Sequence, residues 1–282
     1  MTRFKSAAAL SVVFGMLGLT GCLDTQTLKL DPLATSGRDG DTPDLGYPAV
    51  MRIATASRSA GDLGNAVNLY RHAATMEASN PEPLAALGDT LLEMGRPDEA
   101  IITYNAARKL DSRYQEALRG LAKAYLKTGR PDLASGPLAI AYKDNPNDPK
   151  LLLLIGVADD FIGQHANAQA RYQQGLRIAP ADRSLLLDLA LSLALSEKFD
   201  AAINMLRPVA FAAAATPQER QTLALIYGLK GDQKSALQLA RMDLDAASAN
   251  HNLAFYESLR RLPPDARSRA ILSASAAPRP QS

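Results

Sequence analysis

The chain has 282 residues, of which 31 are Lys or Arg and 29 are Asp or Glu, giving a formal net charge of +2. This near-balance lacks the clustered basic footprint that neutralising nucleic-acid phosphates requires, which argues against a nucleic-acid partner. Hydrophobic residues make up 47% of the chain and aromatics only 5%, and Ala and Leu prevail over β-branched types, a balance that favours helices over sheets.

The first segment predicts export. Arg3 and Lys5 precede Ala7–Gly21, an uncharged run of 15 residues that ends on small side chains. Such a run is short for a membrane span of ~20 residues. Its basic start, apolar middle and small-residue end fit a cleaved secretory signal over 1–21 better than a retained anchor. Removing Arg3 and Lys5 with it leaves 29 basic and 29 acidic residues, a mature net charge of zero. The later apolar stretches, Leu151–Val157 and Leu185–Leu195, are too short to cross a bilayer and are interrupted or flanked by Asp159, Asp160 and Asp188. They read as buried helix. Residues 22–46 are rich in Gly, Asp and Thr and read as a flexible linker; a segment of that length spans roughly 25 to 30 Å on average.

From Tyr47 the sequence repeats. Units starting at Tyr47, Pro81, Gln115, Pro149, Arg183 and Pro217 are each 34 residues long, without insertion or deletion. Their twentieth residue is always alanine: Ala66, Ala100, Ala134, Ala168, Ala202 and Ala236. The seventh is Ile or Leu (Ile53, Leu87, Leu121, Ile155, Leu189, Leu223), and the eighth is Gly or Ala (Ala54, Gly88, Ala122, Gly156, Ala190, Ala224). A small residue on one helix facing an alanine on the next lets two antiparallel helices approach closely. The fifteenth is Gly61, Gly95, Gly129, Gly163 and Gly231, with Glu197 the one departure; glycine there stops a helix by entering the left-handed region. Pro97 and Pro131 then open the following helix, with Asp98 and Asp132 in its first turn. Each unit is therefore a helical hairpin, and the chain is all-α.

"LAALGDTLLEMGRPDEAIITYNAARKLD" (Leu84–Asp111), "LRGLAKAYLKTGRPDLA" (Leu118–Ala134) and the other units at the same period resemble the tetratricopeptide repeat (TPR) family over roughly 47–250. The resemblance implies a TPR solenoid of about six hairpins. Ser57, Asp159 and Ala240 depart from the large residues expected at their positions, which weakens packing at those joints. In a TPR hairpin the first helix turns one face into the concave side of the array. By that register, Leu153, Val157, Phe161, Leu187, Leu191, Leu195, Leu225 and Leu229 line the second half of the concave groove. Glu82, Asp89, Glu93, Glu116, Arg119, Lys123 and Lys127 are among those lining the first. The groove is thus expected to be charged in its first half and apolar in its second. Two readings stay open: tight curvature buries those leucines against neighbouring units, or a partner's amphipathic helix or extended tail occupies the groove.

Beyond the array, His251–Leu262 places Leu253, Tyr256 and Leu259 on one face and reads as a capping helix stopped by Pro263 and Pro264. Residues 263–282 are small, polar and proline-bearing, the composition of a disordered tail. The chain offers no chemistry of its own. His72, His165 and His251 lie in different units without a paired carboxylate or cysteine at ligand spacing, so each is expected to face solvent, and neither a metal site nor a catalytic triad is predicted. Asp159 and Asp160 are neighbours pointing ~100° apart on a helix, a solvated face or groove rim rather than an acid/base pair. "GLKGDQKS" (Gly228–Ser235) resembles a phosphate loop, but Gln233 stands where glycine is needed. No segment outside the repeats is long enough for a catalytic domain, so the reading is a binding protein without catalytic residues or cofactor.

Leu19-Thr20-Gly21-Cys22, the end of the expected signal, resembles a bacterial lipobox and contains the chain's one cysteine. The resemblance implies a covalent lipid on Cys22. Leu23, rather than Asp, after the cysteine implies sorting to the outer membrane, facing the periplasm; a multiply acylated cysteine anchors durably. The lipobox, the array and the tail "NLAFYESLRRLPPDARSRAI" (Asn252–Ile271) together resemble the TPR lipoproteins of the tight-adherence (Flp) pilus secretion system. That implies a pilotin or assembly scaffold whose protein partners include the secretin or other pilus components. A TPR lipoprotein of outer-membrane protein assembly or cell-wall enzyme regulation is the alternative.

Overall fold

The computed structural model describes residues 45–276; the expected signal, Cys22, residues 22–44 of the expected linker and residues 277–282 lie outside them. Within those bounds the chain forms helices and no strands. Six hairpins follow one another: α1 (Tyr47–Ser59) with α2 (Leu63–Met76), α3 (Glu82–Glu93) with α4 (Pro97–Leu110), and α5 (Gln115–Lys127) with α6 (Pro131–Asp144). The next three are α7 (Pro149–Phe161) with α8 (His165–Ile178), α9 (Arg183–Leu195) with α10 (Phe199–Ala210), and α11 (Pro217–Lys230) with α12 (Gln233–Ala240). Two further helices follow, α13 (Ala246–Arg260) and α14 (Pro264–Ala276). Each of the first twelve packs on its predecessor and successor, and odd-numbered helices also touch one another from α3 to α11, so the odd helices form one continuous inner face.

The repeat columns explain that stacking. All six column alanines are at most 1% exposed. The small eighth column admits a tyrosine from the second helix: a Cβ on Gly88 would lie 2.6 Å from Tyr104 Cε1, and one on Gly156 would lie 2.4 Å from Tyr172 Cε1. Tyr104 and Tyr172 are accordingly among the largest fully buried side chains. Ile53 departs from the seventh-column expectation and is 40% exposed, because no earlier described hairpin covers the outer face of α1.

The five column glycines end their helices with positive φ, from 68° to 96°, and Glu197 adopts the same left-handed turn at φ 61°. In both versions the next amide closes the helix end, Arg96 N to Leu91 O and Lys198 N to Leu193 O, each at 2.9 Å. The turn is thus dictated by the hairpin rather than by glycine itself.

At the far end, α13 covers α11 and α12. It begins at Ala246 rather than near residue 251, because Asp245 caps it by accepting from Ser248 N at 2.8 Å. Tyr256 seats against Gly228, where a Cβ would lie 2.4 Å from its Cδ2, as tyrosines do inside the array. The expectation of a disordered tail fails over Pro264–Ala276, which form α14. Pro264 at the helix start with Asp265 in its first turn is a helix-opening signature, and tertiary contact then holds the segment. α14 touches α5, α7 and α9 as well as α13, so the chain folds back along the inner face of its own array.

Candidate partner-binding groove

The inner face of the odd helices, where the concave groove is expected, differs between its two halves. In the first half several of the charges pair with one another. Arg58 donates to Glu93 Oε1 at 3.0 Å and approaches Asp89 at 3.7 Å, while Tyr104 donates to Asp89 at 2.6 Å. Arg119 bridges Glu116 at 3.1 Å and Asp148 at 2.6 Å. Glu82 accepts from Tyr47 at 3.1 Å. Lys123 is exposed, and the Lys127 ammonium is held below the usual lysine range by burial and then by Lys123 beside it. Arg58, Asp89, Glu93, Glu116 and Arg119 are tied into local ion pairs, whereas Lys123 and Lys127 add positive charge beside them.

In the second half all eight expected lining residues are withdrawn from water. Phe161, Leu187, Leu195 and Leu229 are buried, and Leu153, Val157, Leu191 and Leu225 are half-buried. Curvature accounts for part of this, since Leu187, Leu195 and Leu229 belong to the core shared by α8 to α13. The rest was in neither sequence reading. Leu272 of α14 shares an apolar cluster with Phe161, Ala158, Leu118 and Leu126, against which Val157 and Leu191 pack. Ile271 joins the core that Leu153, Leu191 and Leu225 flank. The α7 and α9 part of this apolar surface is therefore covered by the chain's own last described helix.

A polar network fastens α14 beside this apolar seat. Asp160 is 2% exposed, not solvated as its sequence neighbourhood suggested. Its carboxylate accepts from Tyr172 Oη at 3.0 Å and Ser192 Oγ at 2.7 Å, and meets His165 Nδ1 at 2.7 Å. On the other side of the ring, His165 Nε2 lies 3.4 Å from Ser268 Oγ of α14. His165 is thus a half-buried link with a carboxylate partner, contrary to the solvent-facing expectation, while His72 and His251 are exposed as expected. The signal missed was the spacing: the five residues from Asp160 to His165 run across a turn that folds one onto the other. Serine, histidine and carboxylate in line have the order of a hydrolytic triad. Here Ser268 is 1% exposed and its hydroxyl also donates to Pro264 O at 3.1 Å, so the chain of contacts joins helices rather than presenting a nucleophile.

Two nearby carboxylates, Asp159 and Asp188, are shifted upward. Asp159 is raised above the usual range chiefly by burial, which Arg171 opposes. Asp188 on α9 is pushed up to about 7 by burial, then by Asp160 and Asp182.

The hold on α14 is slender. Of its 13 residues, only Ile271 and Leu272 bury large apolar side chains, worth about 1.5–3 kcal/mol each. Helices of this length are marginal in water without such docking. Arg267 reaches Glu197 at 3.3 Å, but its Nε is buried without a hydrogen-bond partner among the described residues, a penalty of about 1–3 kcal/mol.

Residues 85–149 match the family model described as tetratricopeptide repeat. A TPR protein from Parabacteroides merdae ATCC 43184 superposes with a TM-score of 0.63 at 17% identity, over 77% of this chain and 86% of that one. The fold is a TPR solenoid. Pseudomonas aeruginosa PilF shares the TPR solenoid at a TM-score of 0.60 and 19% identity, over 74% of this chain and 97% of that one. PilW, described as a widely conserved type IV pilus biogenesis factor, does so at 0.62 and 15%, over 68% and 90%. No curated protein matches the sequence. Among the described residues of this TPR solenoid, no helix is long and apolar enough to cross a membrane, and no group of three or more His, Cys, Asp or Glu is placed to hold a metal ion.

Proposed function

We propose that this protein is a lipid-anchored TPR scaffold resembling TadD, which holds a secretin or another pilus-assembly component at the periplasmic face of the outer membrane. Cys22 carries the lipid, residues 22–46 set the reach, and the concave groove receives the partner. The observation that carries the reading is the character of the groove: an apolar half lined by Phe161, Leu191 and Leu195 beside a partly self-paired charged half. This is the surface that an amphipathic helix fits. The lipobox at Leu19–Cys22 supports the address, and the shared fold with PilF and PilW supports the choice of a pilus component over other envelope partners.

Two measurements test it. Metabolic labelling with a palmitate analogue is expected to mark the wild-type chain and not Cys22→Ser; label retained on the variant refutes the anchor. Crosslinking in cells followed by purification is expected to recover the secretin with wild type and to lose it with Leu191→Glu, checked for folding by circular dichroism. Unchanged recovery would rule out the groove as its seat.

A further inference from the structure

We infer that α14 is an intramolecular stand-in for a partner helix, and that a partner reaches Phe161, Leu191 and the neighbouring apolar wall by displacing it. The inference rests on reading the groove as a partner site and adds that the site is closed at rest.

Three observations carry it. First, α14 lies where a ligand would, against the inner helices α5, α7 and α9, whereas the stacking helix that terminates the solenoid is α13. Second, its docked face is that of a short amphipathic helix: Arg267, Ser268, Ile271 and Leu272, at spacings of one, four and five residues, are turned inward while Asp265, Arg269 and Ser273 are exposed. Third, its attachments are those of an exchangeable element. Among the described residues, the buried Arg267 Nε has no hydrogen-bond partner, and Arg267 pairs with Glu197, the one non-glycine residue there with positive φ. The short stretch Arg261–Pro263 between α13 and α14 keeps the helix tethered when released, so it re-docks once a partner leaves. The competing partner is accordingly a helix with a cation followed four and five residues later by two aliphatic side chains: the cation meets Glu197 and the aliphatic pair meets Phe161 and its cluster.

A fluorescein-labelled Pro264–Ala276 peptide, titrated into the detergent-solubilised full chain and followed by anisotropy, tests this. An Ile271→Asp/Leu272→Asp chain is expected to bind the peptide at least about 10-fold more tightly than wild type, because only the undocked fraction of wild type is competent. Adding Leu191→Glu is expected to remove that gain. Equal affinities, or binding that survives Leu191→Glu, overturn the inference. Hydrogen exchange on wild type needs no variant to fold: amides of Ala266–Leu272 are expected to exchange on the order of 100-fold faster than those of α7 and α9, and equal protection overturns it. A wild-type dimer that the Asp pair abolishes assigns α14 to a second copy and also overturns it. No pilus component enters these assays, so failure to recover a secretin refutes the proposed function alone.

Discussion

Glu197→Gly isolates the strain of a single backbone turn. The left-handed region costs an L-residue about 1–2 kcal/mol, and Glu197 sits there at φ 61° where the other five hairpins carry glycine. The substitution also deletes the contact with Arg267 at 3.3 Å, in which the glutamate side chain is 64% exposed. A pair so open to solvent contributes about 0.2–1 kcal/mol. Strain relief outweighs the lost pair, and the net expectation is a stabilisation of roughly 0.5–1 kcal/mol, or an increase of about 1–4 °C in Tm for an array of this size. Thermal melting at 222 nm, in wild type and in an Arg267→Ala background, checks it. In that background no ion pair exists to lose, so Glu197→Gly should deliver the strain relief of about 1–2 kcal/mol, reduced only by the looser unfolded chain that glycine brings. A fall in Tm there would refute the reasoning, because relief of the left-handed strain should exceed the roughly 0.4–1 kcal/mol by which glycine loosens the unfolded chain. The reverse change, Gly163→Glu, forces the same strain without an Arg267 partner and should lower Tm.

Other substitutions probe the packing of α7, α8 and α9. Asp188 holds its proton up to about pH 7 in the folded state against an ordinary value of 3.8. Between about pH 4 and 7 the folded chain therefore binds a proton that the unfolded chain has released, and stability falls as pH rises through that window. Asp188→Asn is expected to flatten this slope, stabilising by up to about 4 kcal/mol at pH 8 and little at pH 4; urea titrations at the two pH values decide, and an unchanged slope refutes it. Asp160→Ala strips Tyr172, Ser192 and His165 of a shared buried partner and should cost about 3 kcal/mol or more, read by the same titrations. Gly156→Ala drives a methyl group towards Tyr172, whose ring lies 2.4 Å from the added Cβ, and overpacking of that kind costs about 1–3 kcal/mol. A variant as stable as wild type would show that α7 and α8 can move apart.

The hairpins were legible because their determinants are local and repeated. An alanine every 34 residues, Gly61 or Gly95 at a helix end and Pro97 at a helix start each act within a turn or two of the chain, and a solenoid stacks only on its sequence neighbours. Leu153, Val157, Phe161, Leu187, Leu191, Leu195, Leu225 and Leu229, which the same register assigns to the inner side, are buried or half-buried. What covers them did not follow. Ser268 and His165 stand 103 residues apart, and no periodicity links them. Asp160 reads as a solvated acid in isolation, and its burial exists only once α8, α9 and α14 close around it. α14 itself is rich in alanine and serine, with too little apolar surface to announce a partner, and its order comes from Ile271 and Leu272 entering a surface made by α5, α7 and α9. Sequence alone determined the repeat and its faces, because those depend on short-range geometry. Only the tertiary structure decided that α14 covers the apolar surface of α7 and α9, because that depends on contacts whose partners are distant in the chain.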